Sequence, residues 1–385
     1  MDTRSKLRVE TLAVHAGQAV DLATGAVAPP IYLATTFERD VDGGFSRGFS
    51  YSRTDNPNRQ MLERCLAELE GAEHAIAFAS GLGVANAVLQ ALRAEDHVIA
   101  PRDVYHGVRR VLERMEERRL LTVSFVDATD PGAVEAAVRE STRLIWVETP
   151  SNPLLQITDL AGVAGIAKSR GILTVCDSTF ASPVLSRPLE FGIDMVMHST
   201  TKYIGGHSDV TGGVLLANAP NAVFEEAKLS QERGGGGGVP SPFDCWLTLR
   251  GVATLPLRVR AQSAAALVVA RFLEGHAGVD RVFYPGLESH AGYALAARQM
   301  TGFGGVLSFT VRGGEAEAMA VAGRVRIFTR ATSLGGTHSL VEHRASIEGA
   351  GTATPGNLLR VSIGLENVGD LVEDLGEALG TVGRA

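Results

Sequence analysis

The stretch Asp194-Met-Val-Met-His-Ser-Thr-Thr-Lys202-Tyr-Ile-Gly-Gly-His207-Ser-Asp-Val-Thr-Gly-Gly213 decides how this chain is read. An apolar run (Met195, Val196, Met197) ends in hydroxyl residues and then one lysine. The glycines that follow permit sharp backbone turns, so Lys202 stands where a buried strand breaks open. A strand interior has little use for a lysine, because an unpaired buried ammonium is costly. One chemical role fits: an amine that forms a Schiff base with an aldehyde cofactor, whose phosphate Ser199, Thr200 and Thr201 would bond. A solvated lysine in a glycine-rich loop is the competing reading of this stretch alone.

Composition narrows the field. With 385 residues, 45% hydrophobic content and 44 glycines, the chain suits a compact α/β enzyme of two or three lobes. A formal net charge of −7 gives no basic balance directed at nucleic acid or anionic membrane. Cys65, Cys176 and Cys245 are widely spaced and odd in number, which argues against a disulfide framework or zinc site and fits a reducing cytoplasm. No metal site is expected. The segment from Met1 to Glu10 is charged without an apolar core, and no stretch has the length of a membrane span. These features lead us to expect a soluble cytoplasmic protein.

Outward from Lys202, short apolar runs at His97–Ala100, Thr122–Val126, Leu144–Glu148, Leu173–Asp177 and Met195–His198 alternate with helical patterns. Alternation of this kind predicts a mostly parallel sheet with helices on both faces. Ligands gather at the carboxyl ends of such strands. The unusual residues fall there: Tyr105, Glu148 with Asn152, Asp177, and Ser199 to Lys202. Asp177 ends a buried run and needs a cationic partner, for which a protonated pyridine nitrogen would serve as well as a structural salt bridge. His74–Ala79 reads as a strand and Ser80-Gly81-Leu82-Gly83 as the start of a helix, an arrangement that can receive a phosphate on free N–H groups. Close helix–sheet packing would require the same glycines.

Before this core, residues 1–55 carry turn signals and little periodicity, so they are expected to form an arm gripping a neighbouring subunit. Its end places Tyr51 and Arg53 on one side of an extended segment, a pairing suited to phosphate or to a solvated surface. Asn56, Pro57 and Gly71 punctuate a helix. Residues 56–240 are expected to form the main sheet domain, closed by the run Gly234 to Gly238, read as a flexible loop. Residues 241–385 are expected to form a smaller α+β domain. There Arg360, within Leu359–Ile363, is a candidate receptor for a substrate carboxylate or else a surface arginine on an edge strand.

Taken together, Tyr51-Ser-Arg53, Ser80-Gly-Leu82, Asp103-Val-Tyr105, Glu148-Thr-Pro-Ser-Asn-Pro153, Asp177-Ser-Thr-Phe-Ala-Ser-Pro183, His198 to His207, Val239 to Trp246, Ser333-Leu-Gly-Gly336 and Arg360 to Glu366 resemble the Cys/Met-metabolism family of pyridoxal-5′-phosphate (PLP) enzymes over nearly the whole chain. The resemblance implies a fold-type I PLP-dependent transferase fold, with a seven-stranded sheet. It implies that Lys202 carries PLP, Asp177 keeps the ring nitrogen protonated, and Tyr105 stacks on the ring. Gly81, Leu82, Ser199 and Thr201 would hold the phosphate, with Tyr51 and Arg53 reaching over from a neighbouring subunit. Arg360 would bind the amino-acid carboxylate, aided by Asn152 and Ser333. The implied assembly is a homotetramer of dimers that share active sites, acting on a small amino-acid substrate.

The implied reaction is γ-elimination or γ-replacement on a sulfur-containing or O-acylated amino acid, of the cystathionine γ-lyase or γ-synthase type. A methionine γ-lyase or O-acyl-homoserine sulfhydrylase is the near alternative, and a PLP-binding protein without catalysis the remote one. A nucleotide-binding oxidoreductase lacks the full G-x-G-x-x-G pattern and leaves Lys202 without a purpose. The chain also departs from its relatives. Thr332 stands where many have glutamate, a residue associated with the distal amino group of cystathionine; His338 replaces another glutamate. Arg344 replaces the proline of His-Pro-Ala, His106 and Val108 alter Tyr-Gly-Gly-Thr, and Arg330 adds a cation suited to an acidic or acyl-activated substrate.

Overall fold

A computed structural model describes residues 7–233, 238–349 and 354–380. Its core is a seven-stranded sheet of β1 (His74–Phe78), β2 (His97–Pro101), β3 (Thr122–Val126), β4 (Thr142–Glu148), β5 (Leu173–Asp177), β6 (Met195–His198) and β7 (Gly213–Ala217). The spatial order is β1-β7-β6-β5-β4-β2-β3. Only β7 runs against its neighbours β1 and β6, so the sheet is mostly parallel, as the alternating pattern predicts. Helices cover both faces. One face packs Ile76, Phe78, Val98 and Trp146 beneath helices Gly81–Gln90 and His106–Glu117. The other packs Ile145, Val147, Cys176 and Val196 beneath helix Leu160–Arg170.

The punctuation of the first long helix, Pro57–Glu70, follows its sequence. Asn56 caps it by accepting from the Asn58 N–H, and Gly71 closes it with φ of 76°. Ahead of it lies a helix, Val9–His15, that the arm's weak periodicity does not announce; only Leu12 and Ala13 of it are buried. The strand β7 is likewise not evident in the sequence, because its apolar run directly follows the glycine-rich loop after Lys202.

A second sheet has five strands: β8 (Val279–Phe283), β9 (Val306–Val311), β10 (Thr329–Arg330), β11 (Leu340–His343) and β12 (Leu358–Ser362). They run in the order β10-β11-β12-β9-β8. Helix Leu255–Glu274 joins the lobes physically: its Leu255 and Val259 pack with Tyr203 and Ile204, while Ala266, Val269 and Leu273 pack against the smaller sheet. The glycine run read as a flexible loop falls, from 234 to 237, outside the described residues. Among the described residues, no single helix is long and apolar enough to cross a membrane.

The loop after Lys202 is locked rather than loose. Arg258, buried, donates from Nη1 to the Tyr203 carbonyl and from Nη2 to the Gly251 carbonyl, each at 2.8 Å. Gly206 sits against this clamp with φ of +73°, and a Cβ there would lie 1.9 Å from Arg258 Nη1. We predict that Gly206→Ala lowers stability by more than about 1 kcal/mol in a denaturant melt; an unchanged midpoint would show that the loop relaxes freely.

Candidate active site

The carboxyl ends of β4, β5 and β6 lie side by side, with Glu148 in register with Asp177 and Asp177 with Met197. The chain leaving β6 therefore delivers Ser199, Thr201 and Lys202 beside both acids. From β1 comes the turn Ser80–Leu82 and, beyond β2, Tyr105. The smaller lobe adds Ser333 and Arg360. Together these residues line one cavity of about 420 Å³, along with His106, Asn152, Thr332, Arg344 and Ile347.

Lys202 has no carboxylate partner among the described residues: its Nζ donates to Ser333 Oγ at 2.9 Å. Burial, then the positive charge of Arg360, bring its amine down to about 8. Ser333 stands in the left-handed region, with φ of 88°, and its carbonyl accepts from Arg360 Nη2 at 2.9 Å. Such a conformation costs about 1–3 kcal/mol, and here the same residue meets both the amine and the guanidinium. Arg360, 3% exposed, also donates to Asn152 Oδ1 at 2.8 Å.

Asp177 Oδ1 accepts from the Thr179 N–H at 3.0 Å and the Thr179 hydroxyl at 2.5 Å; its Oδ2 has no donor among the described residues. Burial pushes this carboxyl up, against the Thr179 bonds. Burial, then Asp177, push the neighbouring Glu148 carboxyl well above the usual range, and the Tyr105 N–H donates to it at 2.7 Å. The Tyr105 phenol is likewise raised by burial, with Arg344 and Arg360 pulling the other way.

The phosphate end is defined by helix Gly81–Gln90. Its cap, the Ser80 side chain, accepts from Gly83, and the N–H groups of Gly81 and Leu82 have no acceptor among the described residues at the positive end of the helix. A Cβ on Gly81 would lie 2.7 Å from Ser199 Cβ, so only glycine lets the turn approach so closely. A buried carboxylate oxygen without a cation, an amine without an acid and an unfilled helix N-terminus thus face one space. That set complements a group bearing a cationic ring nitrogen, an aldehyde and a phosphate.

Tyr51, 46% exposed, and Arg53, expected to reach the site of a neighbouring subunit, do not line their own chain's cavity; Arg53 stacks over the Tyr51 ring at 5.5 Å and donates to the Glu232 carbonyl. Arg330 is also absent from the lining: it lies exposed on β10, with Nη1 over Gly323, so it adds no charge to the site. His338 is exposed and off the lining too, whereas Thr332 lines it. Glu342 was not singled out in the sequence. It lies across from Arg360 in the β11–β12 register, and its one signal in the sequence is an acid directly after the apolar pair Leu340–Val341.

A mostly parallel sheet presenting a lysine, an aspartate and a helix N-terminus at its carboxyl edge, with a second lobe beside them, defines the fold-type I class of PLP-dependent enzymes. The comparisons narrow the class. Residues 10–380 match the model of the Cys/Met metabolism PLP-dependent enzyme family. Cystathionine gamma-synthase of Mycobacterium tuberculosis (strain ATCC 25618 / H37Rv) is 47% identical over 376 residues, 96% of each chain. Cystathionine gamma-lyase of Bacillus subtilis (strain 168) is 42% identical, covering 97% of this chain and 99% of that one. The solved structure of cystathionine gamma synthase from Xanthomonas oryzae pv. oryzae in complex with cystathionine superposes with a TM-score of 0.93 at 43% identity, over 98% of this chain and 99% of that one.

The chain belongs to the Cys/Met metabolism PLP-dependent enzyme family. It is a PLP-dependent enzyme of γ-elimination or γ-replacement, with an amino acid as its small-molecule substrate.

The lowered Lys202 amine is testable in cofactor-free protein. Because burial and Arg360 disfavour the ammonium form, the free amine should dominate above about pH 8. Labelling of the Lys202 peptide by an amine-reactive reagent, read by mass spectrometry after normalising for the reagent's own pH dependence, should therefore plateau just above pH 8. Continued rise through pH 10 would show an ordinary lysine.

Proposed function

We propose that the enzyme catalyses γ-replacement on an O-acylated homoserine, with a thiol as the incoming nucleophile. The observation that carries this reading is the Lys202 amine, free to change protonation near pH 8, facing Asp177 on one side and Ser333 with Arg360 on the other. PLP, when bound, supplies an electron sink for negative charge on substrate carbon. Asp177, whose Oδ2 has no donor among the described residues, would hold a proton at the ring nitrogen. Gly81, Leu82, Ser199 and Thr201 hold the phosphate. Arg360, with Asn152 and Ser333, fixes the substrate carboxylate, so that the α-hydrogen faces Lys202. The Lys202 amine removes that proton and serves again at Cβ, which opens the path for the γ-substituent to leave. Tyr105, whose phenol burial keeps protonated at neutral pH, would lie against the ring and could exchange a proton with the substrate amine.

Replacement is favoured over elimination by the similarity to proteins named cystathionine gamma-synthase. Thr332 favours a second thiol besides cysteine: it places a hydroxyl where an acid could take the distal amine of cystathionine, so sulfide would serve as nucleophile in a homoserine-ester sulfhydrylase.

Tyr51 and Arg53 complete the phosphate site of a neighbouring subunit. This is supported by their distance from their own chain's cavity and by the arm's bare apolar side chains, with Leu22 101% and Val41 110% exposed. The assembly is a dimer sharing sites, paired into a tetramer, and its lobes follow the divisions 1–55, 56–240 and 241–385. A cytoplasmic location is supported by three buried free thiols, of which burial pushes Cys65 and Cys245 up to about 12.

Incubation with O-acetyl- or O-succinyl-homoserine plus cysteine should yield cystathionine, and plus sulfide should yield homocysteine; 2-oxobutyrate as the sole product would reassign the enzyme to elimination. In the same assay Arg360→Ala should raise KM for the homoserine ester about 10- to 100-fold, the loss of a charge-assisted bidentate pair. An unchanged KM would remove Arg360 from the carboxylate role. Arg53→Ala mixed with Lys202→Ala should recover activity in hybrid oligomers, and no recovery would count against sites shared between subunits.

A further inference from the structure

Arg360 reaches the cavity already paired. Its Nη2 lies 2.5 Å from Glu342 Oε2, and the β11–β12 register fixes the two directly across from one another. Both side chains are almost fully buried. A guanidinium cancelled by a buried carboxylate is a poor receptor for a second carboxylate, because the incoming anion also meets the first one in a medium that screens little. The carboxylate role of Arg360 therefore needs something that takes up the charge of Glu342.

Arg344 is placed to do this. It follows β11 directly, at the position where relatives of the family have the proline of His-Pro-Ala, and its side chain is 3% exposed. Its Nη1 lies 3.4 Å from both carboxylate oxygens of Glu342. Its Nε donates to Glu348 Oε1 at 2.8 Å, and its Nη2 donates to His106 Nδ1 at 2.8 Å. His106 is thus an acceptor and neutral, and it too stands at a position where this chain departs from its relatives. Burial and Arg344 hold its imidazole below the usual range. Glu348 sits on the side of an adjacent cavity of about 430 Å³, where it also receives the Thr354 hydroxyl at 2.6 Å. The outcome is a row of alternating charges beside the cavity: Glu348 negative, Arg344 positive between the two acids, Glu342 negative, and Arg360 positive at the end. Two N–H groups of Arg360, on Nε and Nη1, have no partner among the described residues.

We infer that Arg344 is a positioning residue for the substrate's α-carboxylate: it occupies Glu342, so that Arg360 keeps a net positive charge toward the cavity and the carboxylate completes an alternating row. The inference rests on the assignment of Arg360 as carboxylate receptor. It also explains why an arginine is tolerated in the buried wall of the site, since removing one member of the row leaves a buried charge uncompensated.

The test uses holoenzyme and glycine, an amino acid with a single carboxylate, with the apparent Kd read from the change in visible absorbance. R344Q should raise that Kd about 10-fold or more, the loss of a charge-assisted interaction. R344K should recover most of the affinity. E342Q alone should leave Kd unchanged or lower it, and E342Q/R344Q should return to within about threefold of wild type, because the carboxylate that Arg344 occupies is gone. Cofactor absorbance should be retained throughout. Unchanged binding in R344Q, or a double variant no better than R344Q, would overturn the inference. Should R344Q fail to fold, E342Q decides: a tenfold weakening of glycine binding would overturn it. R360A separates the levels. If R360A leaves glycine binding intact, the carboxylate assignment itself fails; if R360A weakens binding while Glu342 and Arg344 show no coupling, only the role of Arg344 fails.

Discussion

Everything in this structure is arranged around keeping one amine buried without an acid of its own. An ammonium taken out of water must find a counter-charge or give up its proton. Lys202 is given a hydroxyl, Ser333, and the field of a nearby guanidinium, Arg360, instead. The two carboxyls beside it are withheld by the same means: Glu148 is buried against Asp177 and rises, and Asp177 is bonded on one oxygen by Thr179 and open on the other. A cavity that holds Lys202 on a hydroxyl and leaves Asp177 Oδ2 without a donor among the described residues is expensive to fold and ready to act on a ligand that completes them.

The sheet supplies the rigidity this requires. Lys202 is the fourth residue after the end of a fully buried strand, and the following turn is clamped by Arg258 through three backbone carbonyls. The smaller lobe approaches from the other side, bringing Arg360 on β12 and Ser333 on the loop after β10. Helix Leu255–Glu274 packs into both cores, so the two halves of the site are positioned by one continuous element. This explains how hydrogen bonds spanning more than a hundred residues of chain, such as Lys202 to Ser333 and Arg360 to Asn152, keep their geometry.

Much of this was legible in the sequence. Strands β2 to β6 announce themselves as apolar runs; Asp177 stands out as the acid that ends its run, and Lys202 as the lysine that follows three hydroxyl residues after another. Caps at Asn56 and Gly71 marked their helix by chemistry alone. What was not legible depended on long-range pairing. The strand β7 hides behind a glycine loop, and Val9–His15 buries too little to show a period. Arg330 looked like a specificity cation because it is close in sequence to Ser333, yet strand pairing turns it outward. Glu342 looked like an ordinary acid until the β11–β12 register set it against Arg360. Arg344 and His106 were visible as departures in separate segments, and only the folded chain shows that they touch.

One amine, Lys202, is proposed to carry the cofactor. The sequence has four lysines, Lys6, Lys168, Lys202 and Lys228, which makes the claim sharply testable. Borohydride reduction of the purified holoenzyme fixes the cofactor onto the amine that bears it, and peptide mass spectrometry then locates the added mass. The account predicts a single phosphopyridoxyl group on the peptide containing Lys202. A label on Lys6, Lys168 or Lys228, or no label at all, would contradict it.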